Sequence, residues 1–261
     1  MLYHLNSIIT IAYRDFIKFL RDPRRVVFSF IFPILFIGVL GGSLQQNLGD
    51  SAGYNFLVFT FTGVLAQTLF QSTASGIISL ITDRDNDFAQ ELFVSPASRY
   101  SIIMGKIIGE SLVAIAQALG IIAFGFVIGV DMSFAQLLAV FPAGVAAALL
   151  GGAFGIIVMA NLNDVKAANQ IFPLLIFPQF FLAGVFNPIQ QLSTPLLVLS
   201  RLMPMTYAVD LLRNVFYSFR PDEIAKTTLY PASVDLIVLL IFFVVFLILG
   251  TYIFVHNERN R

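Results

Sequence analysis

LIVLLIFFVVFLILGTYIFV, residues 236–255, is the stretch whose reading decides the fold. It contains no charged side chain, and Ile, Leu, Val and Phe fill most of it. Wound as an α-helix at 1.5 Å per residue, it reaches about 30 Å, the thickness of a bilayer hydrocarbon core. A helix apolar on every side belongs in lipid, where its backbone bonds to itself and its side chains need no water.

The rest of the chain repeats this pattern. Mean hydropathy is +0.87 and only 11% of the residues are charged, against about a quarter in a soluble domain. Apolar runs at 26–44, 55–82, 102–130, 134–160 and 170–186, together with 232–255, predict six spanning helices. The expected fold is all-α integral membrane, one transmembrane domain over residues 1–261. Pro173 and Pro178 interrupt the fifth run, which a membrane helix tolerates with a kink. The fourth carries Gly151, Gly152 and Gly155 beside Ala143, Ala146, Ala147 and Ala148, a small-residue face that lets helices approach closely. No stretch remains for a separate soluble domain, so an energy-coupling catalytic domain has to sit on another chain. The zero formal charge argues for neither nucleic acid nor an acidic partner, and the absence of cysteine excludes thiolate chemistry. His4 and His256 lie near opposite ends, with no cluster of metal-type ligands around them.

The first 25 residues read as an amphipathic interfacial helix. Leu5, Ile8, Ile9, Ala12, Phe16, Phe19 and Leu20 recur at helical spacing, with Ser7, Arg14, Lys18, Arg21 and Arg25 opposite. Such a helix suits the membrane surface and also suits packing on the chain's own spans. Pro23 should end it. The late start of the first apolar run argues against a cleavable signal peptide.

Charge sets the expected orientation. Arg14, Lys18, Arg21, Arg24, Arg25, Arg84, Arg99, Lys106, Lys166, Arg259 and Arg261 all fall on one side of six spans. The positive-inside rule then puts both termini in the cytoplasm. The exception is 187–231, where Arg201, Arg213, Arg220 and Lys226 accompany Asp210, Asp222 and Glu223. Pro188, Pro195, Pro204, Pro221 and Pro231 punctuate this segment, yet apolar runs persist in it. It reads as short re-entrant helices at the extracytoplasmic edge, before the last span.

Between the second and third spans lies DRDNDFAQELFVSPASRY, residues 83–100. Asp87 can cap a short helix with Gln90 reaching back, and Ser95-Pro96 stops it. Asp83, Arg84, Asp85, Asp87, Glu91 and Arg99 give this loop, 83–101, a charged docking face, with Phe88, Leu92 and Phe93 as an apolar one. The stretch resembles the coupling-helix region of ABC-2 type membrane permeases through Asp83-Arg84-Asp85, Phe88, Glu91-Leu92, Ser95-Pro96 and Arg99. Asp87 stands where that family has glycine. A second stretch, FLAGVFNPIQQLSTPLLVLSRLMPMTYAVDLLR at 181–213, is similar to the family's signature before the last span through Gly184, Pro188, Pro204, Thr206, Tyr207, Asp210 and Arg213.

The resemblance implies a half-transporter that is not itself an enzyme. Two copies, or a copy and a close homologue, would enclose a path for a hydrophobic or amphipathic drug, lipid or lipid-linked substrate. A separate ABC ATPase would carry the ATP and Mg, leaving no cofactor on this chain, and would dock on the 83–101 loop. Consistently, no phosphate-binding loop occurs: Gly105-Lys106 lacks the upstream glycine and the following hydroxyl residue. The resemblance further implies efflux across the cell membrane, and Pro188, Pro204, Tyr207, Asp210 and Arg213 are the candidates for a re-entrant gate.

Polar groups inside spans mark candidate pathway positions, since lipid makes them expensive. Gln67 and Gln71 share one face of the second span, with Ser75 next along it; Glu110 and Gln117 lie on the third. Lys106, four residues before Glu110, suggests a boundary ion pair. The alternative is an ion-gradient-driven transporter or channel, which calls for acidic residues at mid-membrane. An intramembrane enzyme is disfavoured because no histidine lies in a span.

Overall fold

The computed structural model describes residues 2–81, 98–162 and 164–259, and among these every regular element is helical. The loop residues Asp83, Arg84, Asp85, Asp87, Phe88, Glu91 and Leu92 lie outside the described residues. Among the described residues six helices are long and apolar enough to cross a membrane. They cover Pro23–Asn47, Phe56–Ile81, Arg99–Val127, Phe134–Met159, Val165–Leu182 and Ala232–Asn257, each matching one expected run.

Helix α1, Leu2–Leu20, ends just before Asp22 and Pro23. Asp22 accepts from the Arg25 amide at 3.0 Å and Pro23 opens α2, Pro23–Leu35. Proline fits there because the first amide of a helix has no internal partner to lose. Pro33 inside α2 removes one ladder bond, and the chain continues through a π-helical stretch, Phe36–Gly41, into α3, Gly42–Ala52.

Helix α4, Phe56–Gly76, is the most buried span and the core of the bundle. Helix α5 is Arg99–Val127 and α6 is Phe134–Met159, the latter opened by a capping box between Ser133 and Gln136. The small-residue face of α6 lies on α4 as expected. A Cβ on Gly151 would press into the Phe70 carbonyl, and one on Gly155 would come 2.6 Å from the Ala74 carbonyl. Helix α7 is Val165–Leu182, α8 Thr194–Leu202, α9 Pro204–Tyr217, α10 Pro221–Thr227 and α11 Ala232–Arg259. The last packs on α6 and leaves Ile237, Leu240, Ile241, Val244 and Ile248 outward, the side-chain chemistry lipid requires.

The first apolar face turns out to be divided. Of its expected residues Ala12 and Phe19 are buried against the bundle, joined by Ile11, whereas Leu5, Ile9 and Leu20 remain exposed, as does Tyr13. The cause is glycine on the facing helix. At Gly105 a Cβ would lie 3.0 Å from Ile11, and at Gly109 it would lie 2.9 Å from Ala12. Helix α1 thus docks backbone to backbone on α5 and keeps a second apolar edge.

Candidate translocation site

The spans α2, α4, α5 and α7 surround a cavity of about 380 Å³. Its polar wall comes from α4 and α5: Gln67, Thr68, Gln71, Ser72, Ser75 and Gln117. The facing wall, from α2 and α7, is largely aromatic, with Phe28, Phe32, Pro33 and Phe180, and also carries Arg25 and Ser29. The sequence-predicted residues Gln67, Gln71 and Gln117 are therefore brought together. The Gln67 Nε2 donates to Gln71 Oε1 at 2.9 Å, while Gln67 Oε1 is buried without a partner. Such an orphan costs stability unless something else supplies a donor. Helices α2 and α7 have little coverage from the rest of the chain, so the cavity's aromatic wall is also an outer face of the subunit. In that wall Phe32 and Phe180 have ring centroids 5.7 Å apart, Phe36 packs on Phe32 at 4.1 Å and Phe36 stacks on Phe186 at 4.9 Å.

Glu110 is placed elsewhere, in a buried charge cluster at the end of the bundle that carries α1. Lys106 Nζ lies 2.8 Å from Asp15 and 3.8 Å from Glu110, and all three side chains are 2–3% exposed. Arg25 reaches Glu110 at 3.4 Å, Ser79 donates to it at 3.4 Å, and Arg14 pairs with Asp15 at 2.8 Å. A Cβ on Gly76 would collide with the Glu110 carboxylate, so glycine makes room for it. The cluster joins α1, the first turn of α2, the end of α4 and the start of α5. The expected Lys106–Glu110 pair is present, but the closer partner of Lys106 is Asp15, which the sequence reading passed over.

At the same end lie Ile81, the last residue of the second span, and Ser98, whose hydroxyl caps α5 by accepting from the Ser101 amide at 3.2 Å. Ser101 Oγ lies 3.2 Å from His4 Nδ1, so the start of α5 touches α1. Arg99 is the first residue of α5.

The residues proposed for a re-entrant gate build a tight corner at the opposite end. Helices α8 and α9 meet at 89° across Met203, with Pro204 as the first residue of α9. Thr206 Oγ1 donates to the Ser200 carbonyl at 2.7 Å and Tyr207 Oη to the Arg201 carbonyl at 2.8 Å, stapling the bend. Arg213 is wholly buried and donates to the carbonyls of Gly184 at 2.9 Å and Phe59 at 3.1 Å. Its guanidinium also lies 3.6 Å over the Phe59 ring. Gly184 turns the chain at φ 78°, a conformation glycine adopts without penalty. Asp210 accepts from the amides of Leu229 and Tyr230 at 2.8–3.0 Å and so fixes the approach to α11. Pro188 precedes the short turn Ile189–Gln191.

The family model described as ABC-2 type transporter matches residues 6–217. Among curated proteins, ycf38 of Cyanophora paradoxa, named as a transport permease, is 25% identical over 223 residues, covering 82% of this chain and 75% of its own. Nodulation protein J of Neorhizobium galegae is 24% identical over 217 residues, covering 81% of this chain and 80% of its own.

Proposed function

The chain belongs to the ABC-2 type transporter family, and from that membership we propose that it is the permease half of an ATP-driven exporter for hydrophobic or amphipathic molecules. It is a multi-pass membrane protein and a transport component. In this reading the cell membrane holds it with both termini in the cytoplasm, where a separate ATPase with its ATP and Mg meets the 83–101 loop. Two permease copies, or one and a close homologue, face each other across the uncovered sides of α2 and α7. The substrate enters the cavity between them and leaves when the aromatic wall of Phe32, Phe36, Phe180 and Phe186 parts, with the α8–α9 corner as the rigid rim against which it moves.

The observation that carries the reading is the two-sided cavity, amides on one wall and phenyl rings on the other. Gln67 and Gln71 are bonded to each other on the first wall, and the aromatic wall faces them. Motion has a physical route as well. A push on the 82–97 loop bears on Ser79 and Ser98, and from there on the Asp15–Lys106–Glu110 cluster, whose charges hold α1, α4 and α5 as one lever.

The chain has no cysteine, so a single introduced thiol reports without background. In the complex with its ATPase, Gln71→Cys should react with a water-soluble maleimide at a rate that changes severalfold between nucleotide-free and ATP-trapped states, and substrate should protect it. A rate indifferent to both nucleotide and substrate would exclude the cavity as the route.

A further inference from the structure

We propose that the cavity selects amphipaths with an anionic head group, and that Arg25 is the residue that recognises the anion. The proposal rests on the reading of this cavity as the substrate site and adds the substrate's charge to it. Arg25 lies in the first turn of α2 and lines the cavity, with its side chain 40% exposed. Its one carboxylate neighbour among the described residues, Glu110, is 3.4 Å away and is shared with Lys106 and Ser79. A guanidinium has five donors in a planar fork. One weak bond to Glu110 leaves that fork with capacity for a carboxylate, phosphate or sulfate, which it matches in a bidentate manner. The low-dielectric walls strengthen such a contact beyond its worth in water.

The remainder of the cavity suits the rest of such a molecule. Phe28 and Phe32 follow Arg25 along α2, and seven residues of helix place Phe32 about 10 Å from Arg25. An apolar tail therefore has aromatic surface beginning one turn beyond the head.

The test is equilibrium binding to the permease–ATPase complex in nanodiscs of neutral phosphatidylcholine. The probes are dansyl-labelled undecanoic acid and its uncharged primary amide, with an alkyl phosphate as competitor. The acid should bind about tenfold or more tightly than the amide, and the phosphate should displace it. Arg25→Gln should abolish the preference and Arg25→Lys should retain part of it. Equal affinities in the wild type, or a preference that survives Arg25→Gln, overturn the proposal. Binding is read without turnover. A probe held with this preference but never carried would refute the transport reading alone; carried amphipaths indifferent to Arg25 would refute this inference alone.

Discussion

Lys106 is the most demanding side chain in the molecule, an ammonium 2% exposed between two equally buried carboxylates. Burial of a charge is tolerable only when its partners stay in place, and removing one partner leaves the others uncompensated. Asp15→Asn should therefore cost about 3–5 kcal/mol. The triple variant Asp15→Leu, Lys106→Met and Glu110→Leu should recover much of that loss, because it removes all three buried charges together while Arg14 and Arg25 keep access to solvent. Thermal unfolding of the purified proteins checks both; a cluster of no structural weight would leave the melting temperature unmoved in each. Sequence spacing alone revealed the pairing of Lys106 with Glu110, since four residues on a helix bring side chains together. Asp15 was illegible, because its partner lies on another helix and nothing local marks it as buried. Arg213 was legible as part of a family signature, but its role as a latch onto the Phe59 and Gly184 carbonyls needed three dimensions.

At the scale of elements, the spans were readable because lipid imposes a length and a composition that short windows of sequence display directly. Helix α1 shows the boundary of that legibility. Periodicity placed its apolar side chains on one face, yet which half of the face packs is decided by Gly105 and Gly109 on α5. Replacing both glycines with leucine should lift α1 off the bundle. A thiol introduced by Ala12→Cys, buried in the native protein, should then label with maleimide at least tenfold faster. Unchanged labelling would mean that α1 is held by something other than this close approach. The α8–α9 corner was legible as interrupted helices from its prolines, but the 89° turn depends on Thr206 and Tyr207 reaching back to Ser200 and Arg201.

For the whole molecule, the account divides labour between a gate made of this chain and a motor made of another. Charge reversal by Asp85→Arg with Glu91→Arg should leave membrane insertion intact and uncouple ATP turnover from transport, lowering molecules carried per ATP severalfold. Normal coupling in that variant would remove the loop from the mechanism. The candidate pathway was partly legible: Gln67, Gln71 and Gln117 do line one cavity. Glu110 was selected by the same rule, that polar groups in spans are costly, but it belongs to the charge cluster instead. The rule detects expense without saying whether the expense serves a route or a joint.

The most direct measurement compares flux of an amphipathic substrate across proteoliposomes containing the permease alone with flux across vesicles that also contain its ATPase, each with and without ATP. The account predicts vectorial flux only when both the ATPase and ATP are present. Comparable flux through the permease alone would contradict it.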